Sequence, residues 1–300
     1  MSRRLELLRL VLRRLARPRM ARVATPAEAR RQFRRGARLF AAPPFLLHQT
    51  AGAPLHRITA GPVSEAAVIL WFHGGAYMVG GPETHAAMLG RLSRLSRLAV
   101  VAVDYAKAPE HPAPAAFEEA RAAHAALMDQ GWQPSQIVLG GDSAGGGLAL
   151  ALLADLCARD LQPACCIAFS PWTDMTLSGA SLRTNAARDP LLPVSRIEEA
   201  RAYVLGALAP DDPRISPLHA QFHAPPPVLI QVGSDEILLD DSRRMAERLR
   251  AAGGEVTLEE WPRAPHVWQM FDGWIPEARA ALKIAAGFAA RHAGTPIASR

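Results

Sequence analysis

The sequence predicts an α/β protein with a mostly parallel, doubly wound central sheet flanked by helices. Short apolar runs alternate with longer helix-forming segments over most of the chain. Several of these runs, such as Ala67–Phe72, are apolar at every position, which is typical of strands buried on both faces. A glycine-rich turn around Ser143 joins one apolar run to an apolar helix. Together these patterns favour repeated strand–helix units and a parallel sheet.

The first 42 residues predict a separate helical arm. This segment is rich in arginine, and four of its leucines are spaced so that they share one helix face. They are Leu5, Leu8, Leu12 and Leu15. Pro43-Pro44 ends the helical region, and the residues after it predict a weak hairpin with strands Phe45–Gln49 and Leu55–Thr59.

The remaining elements alternate between strand and helix. The predicted strands are Ala67–Phe72, Leu98–Val103, Gln136–Leu139, Cys165–Phe169, Val228–Val232 and Val256–Trp261. The predicted helices are Glu83–Arg97, Pro114–Gln130, a helix from Ser143 to about Arg159, Leu239–Ala252 and Pro276–Arg291. A long proline-rich segment between Phe169 and Val228 interrupts this order and predicts one helix, Val194–Leu208, without a strand. We expect it to lie outside the sheet as part of a lid.

Charge and cysteine content narrow the class of protein. The net charge is +6, but residues 1–38 carry +11 and the rest of the chain carries −5. The body is therefore not basic, and we expect no nucleic-acid partner. Three cysteines lie in apolar surroundings and predict no disulfide, which favours a reducing compartment. No apolar stretch is long enough for a membrane span or has the pattern of a signal peptide, so we expect a cytoplasmic protein.

The turn around Ser143 has the pattern of a nucleophile elbow. The segment Gly141-Asp142-Ser143-Ala144-Gly145 reads G-x-S-x-G between a strand and a helix. Small residues beside the serine let strand and helix approach closely and hold the hydroxyl at the top of a sheet. A glycine-rich turn with no catalytic role could have the same five residues. The other motifs of the chain are therefore needed to distinguish a nucleophile elbow from such a turn.

A nucleophilic serine needs a base and an acid, which this kind of fold supplies on loops after later strands. Asp235 follows the strand Val228–Val232, and His266 follows the strand Val256–Trp261. The sequence therefore predicts Ser143, Asp235 and His266 as a catalytic triad. The competitors for the acid are Glu236, Asp240 and Asp241, and we prefer Asp235 because it lies nearest the strand end.

Backbone donors for a developing oxyanion are predicted after the first buried strand. His73-Gly74-Gly75 follows Phe72, and two glycines leave their N–H groups unobstructed by side chains. We expect the N–H groups of Gly74, Gly75 and Ala144 to form the oxyanion hole, with His73 holding the loop in place. An ordinary tight turn is the alternative.

Several motifs in the same order resemble one enzyme family. They are His73-Gly74-Gly75-Ala76-Tyr77, Asp104–Pro112, Gly141–Gly146, Ser170-Pro171-Trp172-Thr173-Asp174 and Asp189-Pro190-Leu191-Leu192. Together they resemble the hormone-sensitive-lipase-like, or family IV, carboxylesterases of the α/β-hydrolase fold. The resemblance implies the triad and the three donors named above. It also implies a helical cap made of the arm, residues 1–42, and part of an insertion at about 174–215 in a domain spanning 43–300.

Two departures from the family pattern concern this site region. Ala76 stands where a third loop glycine is common, and Ala106-Lys107 replaces part of the aspartate-tyrosine-arginine motif. Alanine is small enough to leave the oxyanion hole in place. We expect Ala76 to narrow the part of the site that holds the acyl or the alcohol group of the ester.

These features predict a serine carboxylesterase that hydrolyses short- to medium-chain acyl esters through an acyl-enzyme. The substrate is expected to be a small hydrophobic ester, and the candidate pocket residues are Tyr77, Trp172, Tyr203, Val267 and Trp268. Gibberellin receptors resemble the family but lack the catalytic histidine, whereas His266 is present here. Amidase, acyltransferase, thioesterase and lactonase activities stay open because the same triad serves them all.

No cofactor or metal is expected. The histidines and cysteines lack the spacing of a zinc site, and the glycine-rich turn lacks the lysine of a phosphate loop. The resemblance favours a cap role for the arm, but a basic helix with one apolar stripe would also suit the surface of anionic lipid. Oligomeric state is left open.

Overall fold

A computed structural model describes residues 1–52 and 54–294 and confirms the predicted fold class. One sheet of eight strands forms the centre of these residues. The strands are β1 (Leu46–Thr50), β2 (Leu55–Ala60), β3 (Ser64–Phe72), β4 (Leu98–Val103), β5 (Ile137–Asp142), β6 (Cys165–Phe169), β7 (Val228–Gly233) and β8 (Val256–Trp261). Their spatial order is β1-β2-β4-β3-β5-β6-β7-β8.

Helices precede the sheet and cover both of its faces. They are α1 (Arg3–Val11), α2 (Arg17–Arg22), α3 (Pro26–Ala37), α4 (Pro82–Ser96), α5 (Ala115–Asp129), α6 (Ala144–Ala158), α7 (Ser181–Thr184), α8 (Ile197–Leu205), α9 (Leu239–Ala251) and α10 (Pro276–His292). The first three form the arm. No helix among the described residues is long and apolar enough to cross a membrane.

The pairing of strands brings the candidate catalytic loops to one edge. β1 and β2 form the predicted antiparallel hairpin, and β2 pairs antiparallel with β4. From β4 to β8 all neighbours are parallel. Carboxyl ends of parallel strands meet at the same edge, so the loops after β3, β5, β7 and β8 converge there.

Each face of the sheet has its own apolar core because successive strand residues point to opposite sides. Leu70 and its alternate neighbours pack with the leucines of α6 and with residues of α5 and α9. Ile69 and Trp71 point the other way and pack with α4 and α10. The continuous apolar runs in the sequence therefore correspond to strands covered on both faces.

The arm packs against the segment that follows β8. Leu5, Leu8 and Leu12 are buried in a cluster with Trp268, Phe271 and Ile275. The prediction for Leu15 is wrong, since this side chain is 52% exposed. A single turn of π-helix over Leu12–Ala16 adds residues to the turn and rotates Leu15 away from the face of the first three leucines.

The segment 174–215 contains α7 and α8 and, as expected, no strand. The helix predicted over Val194–Leu208 begins as a 3₁₀ turn, Val194–Arg196, and its α-helical part ends at Leu205. Of the predicted hydrolase domain 43–300, residue 53 and residues 295–300 lie outside the described residues.

Candidate active site

Ser143 occupies the apex of a tight turn between β5 and α6. Its backbone has φ 54° and ψ −122°, a conformation that costs energy for any residue with a side chain. The start of α6 nearly touches the end of the neighbouring strand β3: a Cβ added at Gly145 would lie 2.0 Å from the carbonyl oxygen of Phe72. Ser143 is 9% exposed, and its hydroxyl faces the loops after β7 and β8.

A continuous hydrogen-bonded chain runs from this serine to a carboxylate. Ser143 Oγ lies 2.9 Å from His266 Nε2, and His266 Nδ1 lies 2.6 Å from Glu236 Oε2. A carboxylate can only accept, so Nδ1 carries the proton and Nε2 is free to accept from the serine hydroxyl. This is the tautomer that a general base needs.

Burial and charge act in opposite directions on His266. Burial is the largest single influence and would lower the pKa of this imidazole, but the neighbouring carboxylates, Glu236 first among them, together outweigh burial and raise the pKa above its ordinary value. Asp189 and Asp142 raise it further. The histidine is therefore well suited to receive a proton from the serine.

The prediction of Asp235 as the acid is wrong in geometry, because Glu236 is the carboxylate on His266. Glu236 Oε1 accepts hydrogen bonds from the Gly233 N–H at 2.6 Å and from the Ser170 hydroxyl at 2.7 Å. These bonds turn the longer side chain back beneath the loop and aim its other oxygen at the histidine. Asp235, one residue earlier, faces the arm and pairs with Arg9 and Arg188.

The other two competitors do not reach His266. Asp240 accepts from the Ser181 N–H, and Asp241 accepts from the N–H groups of Thr173 and Asp174. Burial raises the pKa of Asp241 to about 7. Both carboxylates therefore hold loops near α9.

Ser170 and Asp189 are residues whose part in the site the sequence analysis missed. Besides donating to Glu236, Ser170 Oγ accepts from the Val267 N–H at 3.2 Å, so one hydroxyl joins the acid to the histidine loop. Asp189 Oδ2 accepts from the Ile237 N–H at 3.0 Å. Both belong to motifs quoted above, but nothing in the sequence pairs them with the loop after β7.

The candidate oxyanion loop is tied to the elbow by Asp142. Its Oδ1 accepts from Trp71 Nε1 and its Oδ2 from the Gly74 N–H, both at 3.0 Å. The Gly74 N–H is thus already used, which contradicts its prediction as a free donor. Gly75 follows with φ 125°, which favours glycine, and within the described chain its N–H has no protein acceptor.

His73 holds this loop, as predicted. Its Nδ1 lies 2.8 Å from the Gly74 carbonyl oxygen, and its ring stacks on Tyr105 with centroids 4.2 Å apart. The Tyr105 hydroxyl donates to the His73 carbonyl oxygen at 2.6 Å. Burial lowers the pKa of His73 well below its ordinary value, so this imidazole is neutral.

The predicted pocket residues divide into different surroundings. Tyr77 and Trp172 are buried in the core cluster that includes α6. Tyr77 also lines a small apolar cavity with Phe117, Val204 and Ile215. Val267 is buried beside Ser170.

The last two pocket predictions are not placed at that cavity. Trp268 is fully buried in the cluster with the leucines of the arm. Tyr203 lies on α8, half-buried, and is not among the residues that line the cavity beside Tyr77.

A parallel sheet whose strand-to-helix elbow presents a serine to a histidine and a carboxylate defines a serine hydrolase of the α/β-hydrolase fold. The alpha/beta hydrolase fold family matches residues 69–270 of this chain. The chain is 40% identical over 228 residues to an esterase of Acinetobacter venetianus, covering 75% of each protein.

Solved structures of esterases superpose on nearly the whole length of this chain. An esterase from the bacterial hormone-sensitive lipase family superposes with a TM-score of 0.91 at 35% identity, covering 98% of this chain and 99% of that one. EstE5, soaked with p-nitrophenyl butyrate, gives a TM-score of 0.93 at 34% identity, covering 98% and 100%. The chain belongs to the hormone-sensitive lipase family of α/β-hydrolases and is a carboxylic ester hydrolase.

The contact between Glu236 and His266 predicts the effect of removing the charge. Glu236→Gln should lower kcat by about 10⁴-fold, because a glutamine cannot stabilise the imidazolium and favours the wrong tautomer. The acidic limb of the kcat/KM profile should move to lower pH, because the carboxylate that raises the pKa of His266 is gone. Initial rates on p-nitrophenyl acetate across pH check both.

Asp235→Asn is the matched comparison, since it removes a charge one residue away. Its loss of kcat should be at least tenfold smaller than that of Glu236→Gln. A larger loss at Asp235 would restore it as the acid.

Proposed function

We propose that this protein hydrolyses short- to medium-chain acyl esters through a covalent acyl-enzyme on Ser143. The hydrogen-bonded chain Ser143–His266–Glu236 carries the proposal. His266 Nε2 takes the hydroxyl proton as Oγ attacks the ester carbonyl, and Glu236 stabilises the resulting imidazolium. His266 then gives this proton to the leaving alcohol, and the acyl group stays on Oγ.

Deacylation repeats the sequence with water as the nucleophile. His266 takes a proton from water, and the hydroxide that results attacks the acyl carbonyl. The C–Oγ bond breaks, the proton returns to Ser143, and the carboxylic acid leaves. No other group in the site is required to move a proton.

The oxyanion in both steps needs donors other than Gly74. The N–H groups of Gly75, Ala76 and Ala144 are the candidates, because within the described chain each lacks a protein acceptor. Ala144 is the first residue of α6, where a helix leaves N–H groups unpaired and carries positive potential. Asp142 supports this arrangement by holding Gly74, the residue before Gly75.

The arm and the insertion 174–215 are proposed to cap the site together. From the arm, Arg30 donates to the carbonyl oxygens of Met78 and Ala108 beside the oxyanion loop. From the insertion, Arg196 donates to the carbonyl oxygen of Ala21 at 3.1 Å, so the two parts touch. These contacts support the domain division predicted from the sequence.

A preference for short to medium acyl groups is supported by the size of the apolar space near the elbow. The cavity lined by Tyr77, Phe117, Val204 and Ile215 measures only about 10 Å³, which is room for about one water molecule, so an acyl group could enter it only by displacing its walls. The Tyr77 hydroxyl lies 3.3 Å from where a Cβ on Gly147 would be, and the Gly147 N–H donates to the Ser143 carbonyl oxygen. Tyr77 therefore lies between the cavity and the first turn of α6, and the longer the acyl chain, the more of the cavity wall it would have to displace.

Replacing the nucleophile tests the proposed mechanism. Ser143→Ala should lower kcat on p-nitrophenyl butyrate by about 10⁴–10⁶-fold, and a double variant with His266→Ala should be little worse, because the residues act as a unit. Burst kinetics of wild type should show one acylated site per chain. Wild-type turnover in Ser143→Ala would overturn the mechanism.

Enlarging the cavity tests the acyl preference. We expect kcat/KM on p-nitrophenyl esters to be highest for short to medium acyl groups, because a longer chain must displace more of the cavity wall. Val204→Ala should move that maximum to longer chains, because it removes two methyl groups from the wall. Measuring kcat/KM over esters from acetate to palmitate checks the shift.

Val100→Ala is the control, because Val100 is equally buried but lies in the core on the other face of the sheet. It should lose comparable stability without moving the maximum. Equal profiles for both variants would place the acyl group elsewhere.

A further inference from the structure

One arginine of the arm contacts both loops that carry the triad's acid and base. Arg9 Nη2 lies 2.6 Å from Asp235 Oδ2, and its Nη1 donates to the carbonyl oxygen of Arg263. Asp235 immediately precedes Glu236, and Arg263 lies three residues before His266. A single guanidinium therefore joins the loop after β7 to the loop after β8.

This contact is shielded from water. The side chains of Arg9 and Asp235 are only 8% and 4% exposed, and a buried ion pair becomes costly when one partner is removed. Arg188 also lies 2.7 Å from Asp235, but its side chain is 61% exposed and its pairing is screened by solvent. Arg9 is thus the stronger of the two restraints on Asp235.

The planar fork of arginine suits this bridge. Two of its donors diverge from one rigid group, so one can meet a carboxylate while the other meets a carbonyl oxygen. The Leu5, Leu8 and Leu12 face holds α1 on the segment after β8, which fixes where the fork is delivered.

We propose that Arg9 is a positioning residue that sets the contact between Glu236 and His266, so that the arm completes the triad. The inference rests on the proposed function. Without Arg9, Asp235 turns towards water, the loop after β7 follows, and Glu236 Oε2 withdraws from His266 Nδ1.

A pH profile separates positioning from a simple effect of charge. The carboxylates of Glu236, Asp189 and Asp142 influence His266, and Glu236 is the foremost of them. Loss of the Arg9 charge with no movement would leave Asp235 less neutralised and raise the pKa of His266. Withdrawal of Glu236 would lower that pKa, so the two effects differ in sign.

The test uses the full chain with Arg9→Met, Arg9→Lys and, as a control, Arg14→Met, because Arg14 is exposed on the same arm. Active sites are counted by the p-nitrophenol burst. Arg9→Met should lower kcat per active site by about 10²-fold with KM little changed, as expected for a small displacement of a catalytic group. Its acidic limb should move to lower pH. Arg9→Lys should be intermediate, and Arg14→Met should match wild type.

Asp235→Asn keeps the shape of the side chain and tests the same contact from the other partner if Arg9→Met does not fold. It should likewise lower kcat per active site, and the double variant with Arg9→Lys should be little worse than Asp235→Asn alone. Only kcat is compared for this variant, because losing the Asp235 carboxylate lowers the pKa of His266 whether or not the loop moves. Wild-type kcat in Asp235→Asn, or a limb that moves to higher pH in Arg9→Met, would overturn the proposal. Ser143→Ala, assayed in parallel, shows separately whether the underlying mechanism holds.

The outer face of α1 carries a second, independent observation. Leu7 and Val11 are 62% and 40% exposed and lie four residues apart, so they share one face of the helix. Arg3 is exposed at a position on that same face. The helix is therefore apolar on both sides, with one row on the body and another in water.

We infer that this outer face, defined by Arg3, Leu7 and Val11, docks on an anionic lipid surface. The charge of +11 over residues 1–38 complements anionic headgroups, and arginine stems can lie along the acyl boundary while their heads contact phosphate. A second copy of the chain would place this charge against itself, which disfavours dimerisation through the same face.

Vesicle sedimentation tests this surface. Wild type should bind vesicles of phosphatidylcholine with 30% phosphatidylglycerol at low salt, and bind those of phosphatidylcholine alone about tenfold more weakly or less. Leu7→Gln with Val11→Gln should weaken binding about tenfold. The control pair Leu39→Gln with Leu47→Gln removes exposed leucines elsewhere and should bind like wild type. No binding by wild type, or a dimer that the first pair dissociates, would overturn the inference.

Discussion

The carboxylate of Asp142 is the interaction on which the geometry of the site depends. It lies directly before the nucleophile and is almost fully buried. It holds the indole of Trp71 and the Gly74 N–H, and it lies 3.2 Å from His85 Nε2. Burial alone would lower the pKa of His85, but its contacts with Asp142 raise the pKa above its ordinary value, which favours the protonated imidazole. A buried charge matched in this way has few alternative positions, and the oxyanion loop shares that rigidity.

The rigid elbow also requires strained backbone conformations. Ser143 and Ser170 both have positive φ, and both contribute a hydroxyl to the chain of hydrogen bonds. Such conformations persist only where the surroundings leave no alternative. Here the parallel strands, the close approach of α6 and the bonds to Glu236 supply those surroundings. The free energy of this packing and hydrogen bonding offsets the strain at the two serines.

The sequence was sufficient to predict the succession of strands and helices along the chain, the elbow and His266, because these depend on local patterns. Continuous apolar runs and a glycine pair reveal buried strands and a tight turn without any knowledge of contacts. The choice between Asp235 and Glu236 was different, since both follow the same strand. It depended on bonds from Gly233 and on Ser170, which is 66 residues away. The use of the Gly74 N–H by Asp142 and the rotation of Leu15 by a π turn are likewise consequences of packing. Periodicity alone could not show them.

The docking of α1 on the far end of the chain has a consequence for biosynthesis. The Ser2 N–H donates to Glu277 at 2.6 Å, and the leucines of α1 pack on residues after β8. During translation α1 is therefore made long before the residues on which it docks. Its apolar row has no partner until the segment after β8 has left the ribosome. A triad that depends on this docking would stay incomplete until that segment had been synthesised.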